Sequence, residues 1–395
     1  MNSLFRHLSF IITATTLAGC TGDGFMPKKG GVGGLSSQDI LRRIPTTDKV
    51  DRDCSTSGAY SMCLYMKNPV SQSATVLSDP ESATELNQQR TFGVKLTGID
   101  GSGKLQNSSI EVVTLEGTAV DTTQLQNYKE LGVDDSSNFL EQQMAYYWAN
   151  RSIEYLSAWT GRLYVKDQGL KVIVDDRTHG WRPGTKSIHL RKSSLGKSMA
   201  TNGGLVIHLL AQANLWLATG GEIDNLNGDS KHQACGTHEK GCCRNPTGCS
   251  RAVASGAADY MVAIMFPDDP GLGEFWSNSL DGVKSCSQSR NLKFMSTITA
   301  TNAHQACSSS NQAGEVHALG SLYASIWWEV RKRAEEDRPG SGREVDTLYM
   351  EHLSKLRGDD DFLSALNKIE QIDAEKFSSR YSSLFRSEYS KRELL

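Results

Sequence analysis

Residues 206–216 read Val-Ile-His208-Leu209-Leu210-Ala211-Gln212-Ala-Asn-Leu-Trp. On a helix, positions four apart share a face, so His208 and Gln212 stand one turn from each other. Two histidines at that spacing, with a glutamate after the first, make the His-Glu-x-x-His zinc site, where the imidazoles hold the metal and the carboxylate is the base. Here the first histidine is present, Leu209 stands at the base and Gln212 at the second ligand. Leucine takes no proton from water, and a neutral amide is a poor substitute for imidazole on zinc.

The periodicity predicts the elements that must position these groups. A helix over 205–218 ends at Gly220-Gly221, a second over 251–265 stops at Pro267, and a third over 316–335 is broken by the Pro-Gly and Ser-Gly pairs of 338–342. Asp135-Ser136-Ser137 offer a cap for a helix from about Asn138, along which Met144, Tyr147, Trp148 and Ile153 keep helical spacing. Two or more helices fill the rest, with Leu353, Leu356, Phe362, Leu366 and Ile369 as apolar faces. Strands are expected at 91–97, 109–114, 171–174 and 187–190, with a turn at 182–185. Strand first and helix later predicts an α+β fold.

The N-terminus reads as a targeting segment. Arg6 precedes a short apolar run that ends in Leu17-Ala18-Gly19-Cys20, which resembles a bacterial lipobox. This resemblance implies a signal peptide over 1–19 and a lipid-modified Cys20 as the contact with the bilayer. Thr21, in place of aspartate, implies outer-membrane sorting. Residues 20–50, with Gly30-Gly-Val-Gly-Gly34, read as a flexible tether, 51–135 as a small β-rich region, and 136–395 as the core.

Eight further cysteines in an exported chain point to disulfides. Neighbour spacing suggests Cys54 with Cys63 and Cys286 with Cys307, while Cys235, Cys242, Cys243 and Cys249 have three possible pairings among themselves. A zinc knot using those four with His232 and His238 is the alternative, though no Cys-x-x-Cys pair is present. The net charge of −3 gives no electrostatic footprint for nucleic acid.

Five segments in chain order, 145–156, 184–190, 206–212, 254–260 and 315–331, together resemble the thermolysin and fungalysin (gluzincin) group of zinc metallopeptidases. The resemblance implies a two-lobed core, with a mixed α/β N-lobe bearing the zinc-type helix and a helical C-lobe. It aligns His208 with the first zinc ligand, Leu209 with the base, Gln212 with the second ligand and Ser255 with the third, a glutamate in the group. Asp259 matches the aspartate that orients the first histidine, and His317 the histidine that stabilises the oxyanion. One of three ligands is left, so neither zinc nor any other cofactor is expected, and hydrolysis loses its activated water.

The expected protein is therefore a lipid-anchored outer-membrane lipoprotein with an inactive metallopeptidase-like fold. Its former substrate cleft, lined by His208, Gln212, Ser255, Asp259 and His317, would take a peptide, protein or glycan. The alternative is a hydrolase rebuilt around His208 and His317, with Glu222, Glu315 or His232 completing a metal set or Ser255 acting as nucleophile. A hydrogen-bonded core histidine at 208, and packing roles for Tyr323, Trp327 and Trp328, are the simpler readings of those residues.

Overall fold

The computed structural model describes residues 54, 60–69, 82–90, 92–129, 131–134, 136–192, 198–223, 250–267, 270–272, 292, 299–300 and 313–395, with the side chains of 92, 159, 250–251 and 313–318 left aside. Cys20, His232, Cys235, His238, Cys242, Cys243, Cys249, Cys286 and Cys307 lie outside these residues.

Strands occupy the first half of the described chain and helices alone the second, so the fold is α+β. Ser61–Leu64 (β1) and Phe92–Lys95 (β2) form an antiparallel pair, with the short helix Ala83–Gln88 (α1) between them. Cys54 is bonded to Cys63 of β1, as the spacing suggested.

The main sheet has three parallel strands, Ile110–Thr114 (β3), Leu170–Asp176 (β4) and Ser187–Arg191 (β6). Gly180–Arg182 (β5) is added at the edge, antiparallel to β6. β3 comes from the β-rich segment 51–135 and pairs along its whole length with β4. β5 was not foreseen. At three residues it is too short to show a period of two, and the turn read at 182–185 is the single 3-10 turn Pro183–Thr185 that follows it.

Side-chain alternation divides the sheet into two faces. Ile110, Val112, Leu170, Val172, Val174, Ile188 and Leu190 make a hydrocarbon face, all buried. The other face carries Lys171, Arg182, Ser187 and His189. Phe139–Thr160 (α2) packs on β3 and β4, and Gly203–Ala218 (α3) on β5 and β6.

α2 begins where expected but not by the expected cap. Asn138 is in the left-handed region at φ 55° and makes no side-chain cap bond. Its amide instead donates to Glu116 O at 3.2 Å, and its Oδ1 accepts from Lys192 Nζ at 3.3 Å. The start of the helix is thus fastened to the loops after β3 and β6, a long-range demand that outranks the local capping preference.

α3 starts two residues earlier than predicted, because Asn202 caps it by accepting from Leu205 N at 3.3 Å. Its end follows the glycine signal. Gly220, at φ 64°, donates to Leu217 O and Gly221 N to Trp216 O, the double bond of a Schellman stop.

The second half contains Ser250–Met265 (α4), Ala313–Asp337 (α5), Ser341–Leu353 (α6), Phe362–Phe377 (α7) and Ser382–Lys391 (α8). α4 and α5 approach so closely that a Cβ on Gly256 would stand 2.1 Å from Gly320 O. Tyr323, Trp327 and Trp328 are core, as are Leu353, Leu356, Phe362, Leu366 and Ile369. The Trp327 ring meets Tyr349, His352 and Phe385 at 4.7–5.5 Å between centroids. Among the described residues, no helix is long and apolar enough to cross a membrane.

Candidate functional site

Three helices bring the candidate residues together. α3 supplies His208 and Gln212 one turn apart, α4 supplies Ser255 and Asp259 one turn apart, and α5 supplies Ser321. The glycine contact between α4 and α5 sets this geometry. A Cβ on Gly320 would fall 2.8 Å from the Ser255 Cβ, so only glycine lets α5 pass at this depth. That approach puts the next residue, Ser321, against Asp259.

Asp259 is the hub. His208 Nδ1 lies 2.9 Å from its Oδ1, and Ser321 donates its hydroxyl to Oδ2 at 3.1 Å. A carboxylate only accepts, so the proton of a neutral His208 ring belongs on Nδ1 and Nε2 keeps the lone pair. Gln212 Nε2 is 3.0 Å from that Nε2 and donates to it. The histidine is held from both sides, by aspartate and by amide.

Burial makes this arrangement tight. Ser255 and Asp259 are fully buried, His208 is 3% exposed and Gln212 7%. Leu209 is buried in the core cluster instead of offering a polar group. A buried charge such as Asp259 requires polar partners; Ser321 donates a hydrogen bond to it and His208 Nδ1 stands at ion-pair distance.

These residues do not fit zinc. The set contains one imidazole, the Gln212 amide stands on its Nε2, and Leu209 and Ser255 offer a hydrocarbon and a neutral hydroxyl. Among the described residues, no group of three or more His, Cys, Asp or Glu is placed to hold a metal ion.

The remaining sequence candidates are distributed as follows. His317 and Glu315 lie on α5, with side chains outside the described set. Glu222 follows α3 and pairs with Arg357 at 3.2 Å on the surface. Ser321 was missed by the sequence reading. Its one signal was its place directly after Gly320, within the segment that carried the resemblance.

Just beyond the site, Asp346 takes the Tyr260 hydroxyl at 2.7 Å and Arg331 Nε at 3.1 Å, and Tyr349 donates to Ala257 O at 2.5 Å. These bonds tie α5 and α6 to the same stretch of α4 and fix where Asp259 points.

A scan against protein-family models finds no match, and no curated protein matches the chain.

Proposed function

We propose that this chain is an exported lipoprotein, anchored in the outer membrane through Cys20, whose gluzincin-like core binds or scaffolds a partner and does not hydrolyse it. In this reading β3 to β6 with α2 and α3 form the N-lobe, and α4 to α8 form the helical C-lobe. The observation that carries it is the Gln212 amide on His208 Nε2. The lone pair that would reach a metal is satisfied within one turn of the same helix, and Asp259 fixes the ring from behind.

Further support comes from element types. The five segments that resemble the peptidase group fall on α2, the strand β6, α3, α4 and α5, in that order and with helix or strand as the resemblance requires. Gln212, the most exposed of His208, Gln212, Ser255 and Asp259, is the group a peptide, protein or glycan would meet first. Such a ligand would offer its own donors and acceptors to Gln212 and His208, as polar groups in pockets commonly do.

The test is elemental analysis of the purified chain lacking residues 1–20, together with a peptide-cleavage assay with and without chelator. Substoichiometric zinc and no chelator-sensitive cleavage are expected. One zinc per chain with metal-dependent cleavage overturns the reading. For the anchor, labelled fatty acid should enter the wild-type protein and not Cys20→Ala.

A further inference from the structure

A second polar cluster lies on the outer face of the main sheet, away from His208. β4 pairs in register with β6 up to Val174 and Leu190, then slips by one residue so that Asp176 pairs with Arg191. The extra residue is Asp175, held at φ 61°, a left-handed conformation that costs a non-glycine residue of order 1 kcal/mol. Without this bulge, alternation would turn Asp176 toward the hydrocarbon face with Val172 and Val174. With it, Asp176 shares the face of Ser187 and His189.

The consequence is a continuous hydrogen-bonded chain. The Asp176 carboxylate meets His189 Nδ1, His189 Nε2 lies 2.7 Å from Ser187 Oγ, and Ser187 Oγ lies 2.5 Å from Thr185 Oγ1. Its polarity is fixed by chemistry. The carboxylate accepts from Nδ1–H, so Nε2 of the neutral ring accepts from Ser187, which leaves the Ser187 oxygen to accept from Thr185 at 2.5 Å; the Thr185 hydroxyl also has a longer contact, 3.5 Å, to Arg182 O. Ser187 and His189 are buried, whereas Thr185 is exposed and a Cβ on neighbouring Gly184 would meet nothing within 4 Å. The chain therefore opens to solvent at one hydroxyl.

We propose that Thr185 is the nucleophile of an acyl-transfer centre, with Ser187, His189 and Asp176 as its proton relay, acting on small esters with an anionic acyl group. The charge preference follows from register. Ser187 is flanked across the strands by Lys171 of β4 and Arg182 of β5, both exposed. Burial pulls the His189 imidazole below its usual value. The Asp176 hydrogen bond opposes this and the Arg182 charge adds to it, which leaves a neutral ring able to accept a proton.

In the step, Thr185 Oγ1 attacks the ester carbonyl carbon. Its proton passes to Ser187 Oγ, whose own proton passes to His189 Nε2, and Asp176 stabilises the imidazolium. The bond to the leaving alcohol then breaks as His189 Nε2 returns its proton to Ser187 Oγ and the Ser187 hydroxyl gives its own to the departing oxygen. Water attacks the acyl-threonine by the reverse order, so ester and water give acid and alcohol.

The probes are 4-nitrophenyl acetate and an analogue carrying a carboxylate on the acyl chain, given to the purified full chain, with nitrophenolate release and intact and peptide mass spectrometry as readouts. Acylation at Thr185 is expected, faster for the anionic ester and losing that advantage in Arg182→Gln. Thr185→Val and His189→Gln should each lower release by about 100-fold or more. Asp176→Asn should shift the acid limb of the pH–rate profile, a change that loss of packing alone does not produce. Thr185→Val alters only an exposed side chain, so its result decides the matter even if the buried variants fold poorly. Unchanged release in Thr185→Val, or acyl groups on Ser187 or scattered over lysines, would overturn the proposal and leave a hydrogen-bond network that merely braces the sheet edge.

Discussion

Gln212 Nε2 sits 3.0 Å from Nε2 of His208, so the amide of one helical turn takes the lone pair through which the imidazole of the turn before would bind a metal. Asp259 holds the other ring nitrogen at 2.9 Å and is itself held by Ser321. Removing any one of these leaves a buried polar group without its partner, a loss of about 1–3 kcal/mol.

If the three helices keep the geometry of the peptidases they resemble, the metal site can be rebuilt. The combined variant L209E/Q212H/S255E supplies a base, a second imidazole and a carboxylate beside His208. It should bind zinc at one per chain by elemental analysis where the wild-type chain does not. Ser255 is crowded by Gly320, so L209E/Q212H serves as the companion variant, with circular dichroism reporting that each folds. Two folded variants that both ignore zinc would count against the resemblance.

His352 should make the protein acid-sensitive. Burial pushes its imidazole down to about 3, and Tyr323 Oη is bonded to its Nε2 at 2.8 Å. Between the unfolded value near 6.5 and that folded value, the unfolded chain takes up a proton that the native state refuses. Stability from this group is complete above pH 7 and falls as pH drops through the window, by up to about 1.4 kcal/mol per unit. Urea unfolding at pH 7, 5.5 and 4.5 should show a shallower decline for His352→Gln than for wild type. Equal slopes would rule out His352 as the source.

Asp175 works in the opposite sense. Burial raises its carboxyl to about 6, against the nearby charge of Lys192 and a hydrogen bond from Ser198, with Glu116 adding to the rise. Here the native state holds the proton more firmly than the unfolded chain, so stability falls as pH climbs from about 4 to 6. Asp175→Asn removes the charge and keeps a residue that tolerates φ 61°. It should raise stability by about 1 kcal/mol at pH 7.5 and by little at pH 4, as read by thermal melts. A gain equal at both pH values would show that charge is not the cause.

Gly256→Ala tests the helix crossing. The new methyl would stand 2.1 Å from Gly320 O, and backbone cannot swing aside as a side chain can. A loss of about 2–3 kcal/mol in urea unfolding is expected. Alanine at Gly184, where nothing lies within 4 Å, is the control and should cost a few tenths at most. Equal effects at the two sites would refute the close approach.

Periodicity and stop signals carried much of the fold. The helix beginning near Asn138, the Gly220-Gly221 stop, the strands at Ile110–Thr114 and Ser187–Arg191 and the break after α5 are local events, written in residues adjacent in the chain. The spacing of His208 and Gln212 also placed them on one helical face without knowledge of any neighbour. The cap of α2 was misjudged because Asn138 serves the loops after β3 and β6, and β5 escaped because three residues carry too little pattern.

By itself, the sequence determined most of the longer secondary elements, the α+β order and the absence of metal-ligand side chains at Leu209, Gln212 and Ser255, because propensity, capping and side-chain chemistry act over one or two turns. Only the tertiary structure decided that Ser321 supports Asp259, that β3 belongs to the main sheet, and that a bulge at Asp175 turns Asp176 toward His189. Those relations join residues from different elements through backbone approach and register, which one strand or helix read alone does not encode.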